Sequence, residues 1–160
     1  MAATYEPLYS TTVTGSSTNS ITFNSFSGYT DLVIVNSGTF DSGENGYYLQ
    51  FNGDTNSNYS TTYLYANGSS AASVRASGAS INAGRMSTTF GVGITHVMNY
   101  SNSTTYKTVL TRGNSSDIVN ANVGLWRSTN AITSLTCAVP AGISYFVAGT
   151  TFTLYGIKAA

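Results

Sequence analysis

The side chains able to do chemistry in this 160-residue chain are few. His96 is the only histidine and Cys137 the only cysteine, so a zinc site with the usual nitrogen and sulfur ligands cannot be assembled from them. Acid–base work by His96 needs a carboxylate or nucleophile within hydrogen-bond reach, and no nucleophile elbow or other local motif supplies one. The six carboxylates, Glu6, Asp31, Asp41, Glu44, Asp54 and Asp117, are widely spaced, a poor supply for the converging pair that glycoside hydrolysis requires. The run Asp54-x-Asn56-x-Asn58 repeats the first three oxygen positions of a calcium loop. Tyr59 then stands where that loop needs glycine and Tyr65 where it needs a bidentate glutamate, so residues 52–58 read as a turn joining two antiparallel strands. Phosphate-binding glycine-rich loops are absent, and a lone thiol reads as a small buried hydrophobe. The chain is expected to be no enzyme and to hold no cofactor or metal.

Strands must position whatever these residues do. Apolar residues recur with period two: Ile21 and Phe23, then Leu32 and Ile34 with Val33 and Val35 opposite, then Tyr47, Leu49 and Phe51. Further strands are predicted over 73–77, 88–100, 104–112, 120–127, 131–139, 143–147 and 151–158. Turn chemistry at Asn67-Gly68, Ala83-Gly84, Asn102-Ser103, Gly113-Asn114 and Ala141-Gly142 separates most of them. Many short strands and no helical period predict an all-β fold with little or no helix, a single jelly-roll-like antiparallel β-sandwich over 1–160. An immunoglobulin-like strand order is the alternative. Residues 1–14 form either an extended N-terminal arm or an edge strand, in which Pro7 denies one ladder hydrogen bond.

The alternation also assigns faces. In the strand over 88–100, His96 shares a face with Phe90, Val92, Ile94, Met98 and Tyr100, a face expected in the core or at a subunit contact. Trp126 alternates away from Val123 and Leu125, which places it either in the core or outward against a neighbouring subunit. The 12 tyrosines and Trp126 leave open a surface that stacks on sugars or anchors a protein. The Asn-x-Ser/Thr triplets at Asn58, Asn67, Asn102 and Asn114 read as accidents of a hydroxyl-rich composition.

Ser, Thr and Asn make up 62 of the 160 residues, and charged residues only 8%, against an ordinary ~25%. Six basic and six acidic residues are scattered singly, so no positive track exists to neutralise phosphates, and nucleic acid is excluded as a partner. No apolar run is long enough for a membrane helix. The N-terminus has neither a basic leader nor an apolar signal segment, so synthesis in a cytoplasm is expected. A weakly charged protein hides apolar surface by closed self-association.

One set of phrases goes further. The closing strand Thr150-Thr151-Phe152-Thr153-Leu154-Tyr155-Gly156-Ile157-Lys158 occurs with Tyr5-Glu6-Pro7, Phe51-Asn52-Gly53-Asp54, Tyr106-Lys107-Thr108 and Val123-Gly124-Leu125-Trp126-Arg127-Ser128. Over nearly its whole length the chain thereby resembles small structural proteins encoded in tailed-phage genomes. The resemblance implies a virion role: a capsid decoration or cement protein, a head fibre, or part of a tail fibre or tailspike. Of these the compact, uncharged chain suits decoration, as a homotrimer on the outer capsid surface, made in the host bacterial cytoplasm and clamping the major capsid protein. Tyr5, Pro7, Leu8 and Tyr9 are then the expected capsid-contact arm, and His96 and Trp126 the expected subunit-interface residues. The alternative is a receptor- or glycan-binding module that uses tyrosines against a host surface glycan.

Overall fold

Alternation with period two becomes twelve strands, all paired antiparallel. The computed structural model describes residues 4–43, 45–116, 118–140 and 142–158, with only the backbone of Asn45. The strands are β1 (Tyr5–Thr12), β2 (Ser20–Asn24), β3 (Asp31–Gly38), β4 (Asn45–Phe51), β5 (Tyr59–Ala66), β6 (Ala71–Gly78), β7 (Ile81–Met86), β8 (Gly91–Val97), β9 (Lys107–Ser115), β10 (Ile118–Trp126), β11 (Ser134–Ala138) and β12 (Thr151–Ile157). Among the described residues there is no helix. An eight-stranded sheet runs in the order β1-β12-β3-β8-β9-β10-β5-β6, and a four-stranded sheet in the order β2-β11-β4-β7. The two pack face to face as a β-sandwich.

One core joins them. Leu32 and Ile34 of β3, Val97 of β8, Val109 of β9 and Phe152 and Leu154 of β12 meet Tyr47, Leu49 and Phe51 of β4, Ile81 and Ala83 of β7, and Leu135 and Cys137 of β11. The rings of Tyr47 and Phe152 lie 6.3 Å apart and those of Phe51 and Trp126 5.5 Å apart. Full burial of a large apolar side chain contributes about 1.5–3 kcal/mol, which is what holds the layers together in a chain with so little charge.

Glycines bring the sheets close. Gly91 and Gly93 of β8, Gly113 of β9 and Gly124 of β10 occupy inward positions where a side chain would meet neighbouring strands. A Cβ on Gly93 would stand 2.6 Å from Asn36 Oδ1 and 3.0 Å from Tyr47 Oη, in the space where Tyr47 Oη donates a 2.8 Å hydrogen bond to Asn36 Oδ1. Gly84 has φ of 137°, available at low cost only to glycine, beside the register shift between Tyr47 and Tyr48 in the β4–β7 pairing.

Several expectations are corrected here. Ala83-Gly84 lies inside β7 and Gly113-Asn114 inside β9, because glycine was needed for close approach rather than for a turn. Residues 52–58 join no hairpin: β4 belongs to one sheet and β5 to the other, so the segment crosses between them. Residues 143–147 make no strand, only isolated bridges from Phe146 to Thr18 and Phe40. The turn expected at Ala141-Gly142 falls partly on Ala141, outside the described residues. Residues 5–12 are an edge strand paired to β12, not a free arm, while residues 1–3 lie outside the described residues.

Gly93→Ala should therefore lower stability by about 1–3 kcal/mol, the usual range for overpacking a core. Gly78→Ala, where an added Cβ meets nothing within 4 Å, should leave the urea midpoint nearly unchanged. Equal midpoints for the two variants would contradict the close approach at Gly93.

Candidate interaction surface

The calcium-like run folds around Asp54 itself. Asp54 Oδ1 accepts the backbone N–H of Asn56 and its Nδ2, both at 2.9 Å. Oδ2 accepts Asn58 Nδ2 at 2.9 Å and Trp126 Nε1 at 2.8 Å. Four N–H donors thus converge on the carboxylate, and they hold its pKa down at about 2, the Asn58 bond first and the Trp126 bond next. The loop closes over an aromatic stack. Tyr59 lies 6.1 Å from Trp126 at an interplanar angle of 17°, Tyr59 Oη accepts the Phe51 N–H at 3.1 Å, and burial pushes the Tyr59 pKa up to about 12.

Trp126 is accordingly a core residue, 2% exposed. On β10 the inward positions are Ile118, Asn120, Asn122, Gly124 and Trp126, while Val119, Ala121 and Val123 face solvent. Its ring is turned toward Phe51 of the other sheet, so it presents nothing to a neighbouring subunit. Its cross-strand partner on β9 is Lys107, which sequence reasoning passed over. Lys107 is fully buried, and its Nζ donates to the carbonyls of Thr105 at 2.8 Å and Thr129 at 3.1 Å. Burial lowers its pKa. Cys137 is also buried, and desolvation raises its thiol pKa.

His96 faces the other way. The buried positions of β8 are Gly91, Gly93, Thr95 and Val97, and its outer positions are Val92, Ile94 and His96, so the face expected in the core or at a subunit contact is, over these residues, the outside of the eight-stranded sheet. Its side chain is one-third exposed, with Nε2 2.8 Å from Asp31 Oδ2. Asp31 Oδ1 in turn accepts the Asn99 N–H at 2.7 Å, tying the start of β3 to the turn after β8. The carboxylate partner that no local motif supplied is thus present, 65 residues away in sequence. The cross-strand neighbours of His96 are Val33 and Leu110, both apolar, so the pair is oriented but has no nucleophile beside it in the sheet.

The expected contact residues of the N-terminal segment divide. Tyr5 is exposed. Pro7 precedes a register shift that ends at Tyr9, and Leu8, within that bulge, packs against the core. Tyr9 rests its ring 6.1 Å from Phe23 and donates from Oη to the Ser25 carbonyl at 3.3 Å. Glu6 and Lys158 pair at 2.9 Å, and that hydrogen bond draws the Glu6 pKa down. Asp41 accepts the Tyr145 N–H at 2.8 Å. Glu44 and Asp117 lie outside the described residues.

What the strands assemble instead is a surface. Val92 of β8, Leu110 of β9, Val119 and Val123 of β10 and Leu64 of β5 all point outward and are between 41% and 57% exposed. Register makes them neighbours: Leu110 stands opposite His96 on one side and Val123 on the other, and Ala121 opposite Arg112 and Leu64. Arg112 is the one charge at the centre of this field. Comparison with protein-family models, with curated proteins and with solved structures finds no match to this chain.

The Asp54 cluster yields a test with a definite sign. Because the folded pKa lies below the ordinary 3.8, Asp54 stabilises the fold fully above that pH, and the contribution is lost as pH falls toward about 2. Asp54→Ala should cost about 1–2 kcal/mol at neutral pH by leaving the Trp126 N–H without its acceptor, and should flatten the acid limb of stability in that window. A variant with an unaltered limb would refute the assignment.

Proposed function

We propose that the protein is a structural component of a phage virion, a capsid decoration protein that lies on the outer head surface and bridges subunits of the major capsid protein. The observation that carries this reading is the outer face of the eight-stranded sheet: broad, nearly uncharged and set with Leu64, Val92, Leu110, Val119 and Val123. Contiguous exposed apolar area of this kind marks a protein contact, and depletion of charge is the signature of the centre of such contacts. The strand order adds support. We read β1-β12-β3-β8 facing β2-β11-β4-β7 as a jelly roll, an architecture used by viral capsid and lectin domains, here widened by β9, β10, β5 and β6. Bridging then needs only modest contacts, since linked sites bind at high effective concentration. Tyr5, exposed beside Val33 and His96, adds an aromatic anchor at the margin.

One observation favours the second reading, a glycan-binding module. On the inner side of the β5–β6 hairpin the rings of Tyr63 and Tyr65 lie 6.1 Å apart, with the Arg85 guanidinium 5.1 Å from the Tyr65 centroid, a platform of the kind sugars stack on.

Leu110→Glu and Val123→Glu, both at exposed positions, should leave the fold intact yet reduce the copies recovered with purified heads about tenfold or more. The depleted heads should release DNA on heating or osmotic shock. Recovery of the protein at the tail, or binding to host surface polysaccharide in its place, would replace decoration by adsorption.

A further inference from the structure

The eight-stranded sheet has two edges, and the sequence treats them differently. At β1, Pro7 has no N–H to offer, the ladder shifts register between Pro7 and Tyr9, and Glu6 and Lys158 set charges on the rim. These are the devices by which natural sheets refuse a further strand. At β6 there is neither a proline nor a register shift. Its eight residues pair with β5 in unbroken register, from Tyr59↔Gly78 to Ala66↔Ala71, and pair with no strand on the other side. Residues 71–77 are exposed on both faces of the strand, and Arg75 carries the only charge. The four-stranded sheet ends beneath this region, since β7 packs under β9, β10 and part of β5.

We infer that β6 is the docking edge for a second copy of this chain, whose own β6 pairs with it antiparallel about a two-fold axis and fuses the two eight-stranded sheets into one. The free edge presents alternating N–H and C=O groups, which only an extended strand can satisfy in full. The side chains say whose strand it is. With Val74 on the axis, Ser73 stands opposite Arg75 of the second copy, Ala72 opposite Ala76, and Ala71 opposite Ser77. Every pair is small or uncharged on at least one side. Moving the axis to Arg75 would set two guanidiniums face to face, which is destabilising in a sheet, and moving it to Ser73 would shorten the paired stretch. Val74 also shares its face with Tyr63, its partner on β5. The axis therefore gathers Tyr63, Val74 and their two counterparts into one row of aromatic and β-branched cross-strand pairs, a favourable combination. The overhang of the hairpin beyond β7 lets the second copy approach with its smaller sheet clear of the first. This association goes beyond the virion reading and does not depend on it, and it is two-fold where the resemblance implies a trimer.

Light scattering on the purified full chain across the micromolar range should give the mass of a dimer. Val74→Lys places two ammonium groups on the axis and should weaken association about tenfold or more, with an unchanged far-ultraviolet circular dichroism spectrum. Val74→Glu should do the same, and an equimolar mixture of the Lys and Glu variants should restore a dimer containing one of each. Val74→Cys should yield a disulfide-linked dimer on mild oxidation, because Cys137 is buried and unreactive, and this readout needs no destabilised variant. A wild-type monomer or trimer, a Val74→Lys dimer of undiminished stability, or failure of Val74→Cys to cross-link would each overturn the proposal.

Discussion

Four strands cannot cover eight. At a strand spacing of about 4.8 Å the large sheet is roughly 34 Å wide and the small one roughly 14 Å, and most of the structure follows from how the chain handles the difference. Where the sheets overlap, β3, β12 and β8 lie over β11 and β4, and the core is apolar and rich in aromatic rings. Toward the overhang the inward row changes character, from Asn36 through Gly93 and Gly113 to Asn120 and Tyr65, residues in register across β3, β8, β9, β10 and β5. Among the described residues, both amide atoms of Asn120, Oδ1 of Asn122 and Oγ of Ser115 make no hydrogen bond within the protein. Such clustered buried polar atoms are the usual environment of ordered water. The inner face of the large sheet thus grades from apolar to polar toward the overhang, and β6 is the strand that lies outside the core.

Low charge imposes a second discipline. With few ion pairs, the ladders are reinforced by hydroxyl pairs between neighbouring strands: Ser10 with Thr153 at 3.1 Å, Ser37 with Thr151 at 2.8 Å, Thr22 with Thr136 at 3.0 Å and Thr95 with Thr111 at 3.1 Å. Each such cross-strand pair contributes a few tenths of a kcal/mol, up to about 1, and all of them are indifferent to pH over the range in which carboxylates titrate. Asp54 adds a charge bound by four donors at one of the four places where the chain passes from the small sheet to the large. Without it the stack of Phe51, Tyr59 and Trp126 would be closed by a loop with no anchor to the indole.

Period two was legible in β3 and β12, where inward Leu32, Ile34, Phe152 and Leu154 alternate with Val33, Val35, Thr153 and Tyr155. The faces were harder. In β8 the large residues Val92, Ile94 and His96 point outward and the glycines inward, because a side chain at Gly91 would meet Asn114 and Ser115 of β9 and one at Gly93 would meet Asn36 of β3 and Tyr47 of the second sheet. Hydrophobicity alone left that face open between the core and a subunit contact, and the glycines that close approach requires at Gly84 and Gly113 read as turns. The Asp31–His96 pair spans four intervening strands of chain, a contact that only register creates. The crossing at 52–58 carried every local mark of a hairpin, since the Asn and Asp bonds that close a tight turn also close a loop between sheets. Trp126 was placed by Asp54, a partner 72 residues distant, and nothing in the immediate neighbourhood of the indole announced it.

The same scarcity of charge governs how any partner is met. With a formal net charge of zero and Arg112 at the centre of the outer sheet face, long-range steering would contribute little to either proposed contact. Specificity must then come from shape and from hydrogen bonds made at close range: the pleat of a flat sheet face for one partner, the open ladder of β6 for another. Contacts of this kind depend little on ionic strength, because screening acts only on charges.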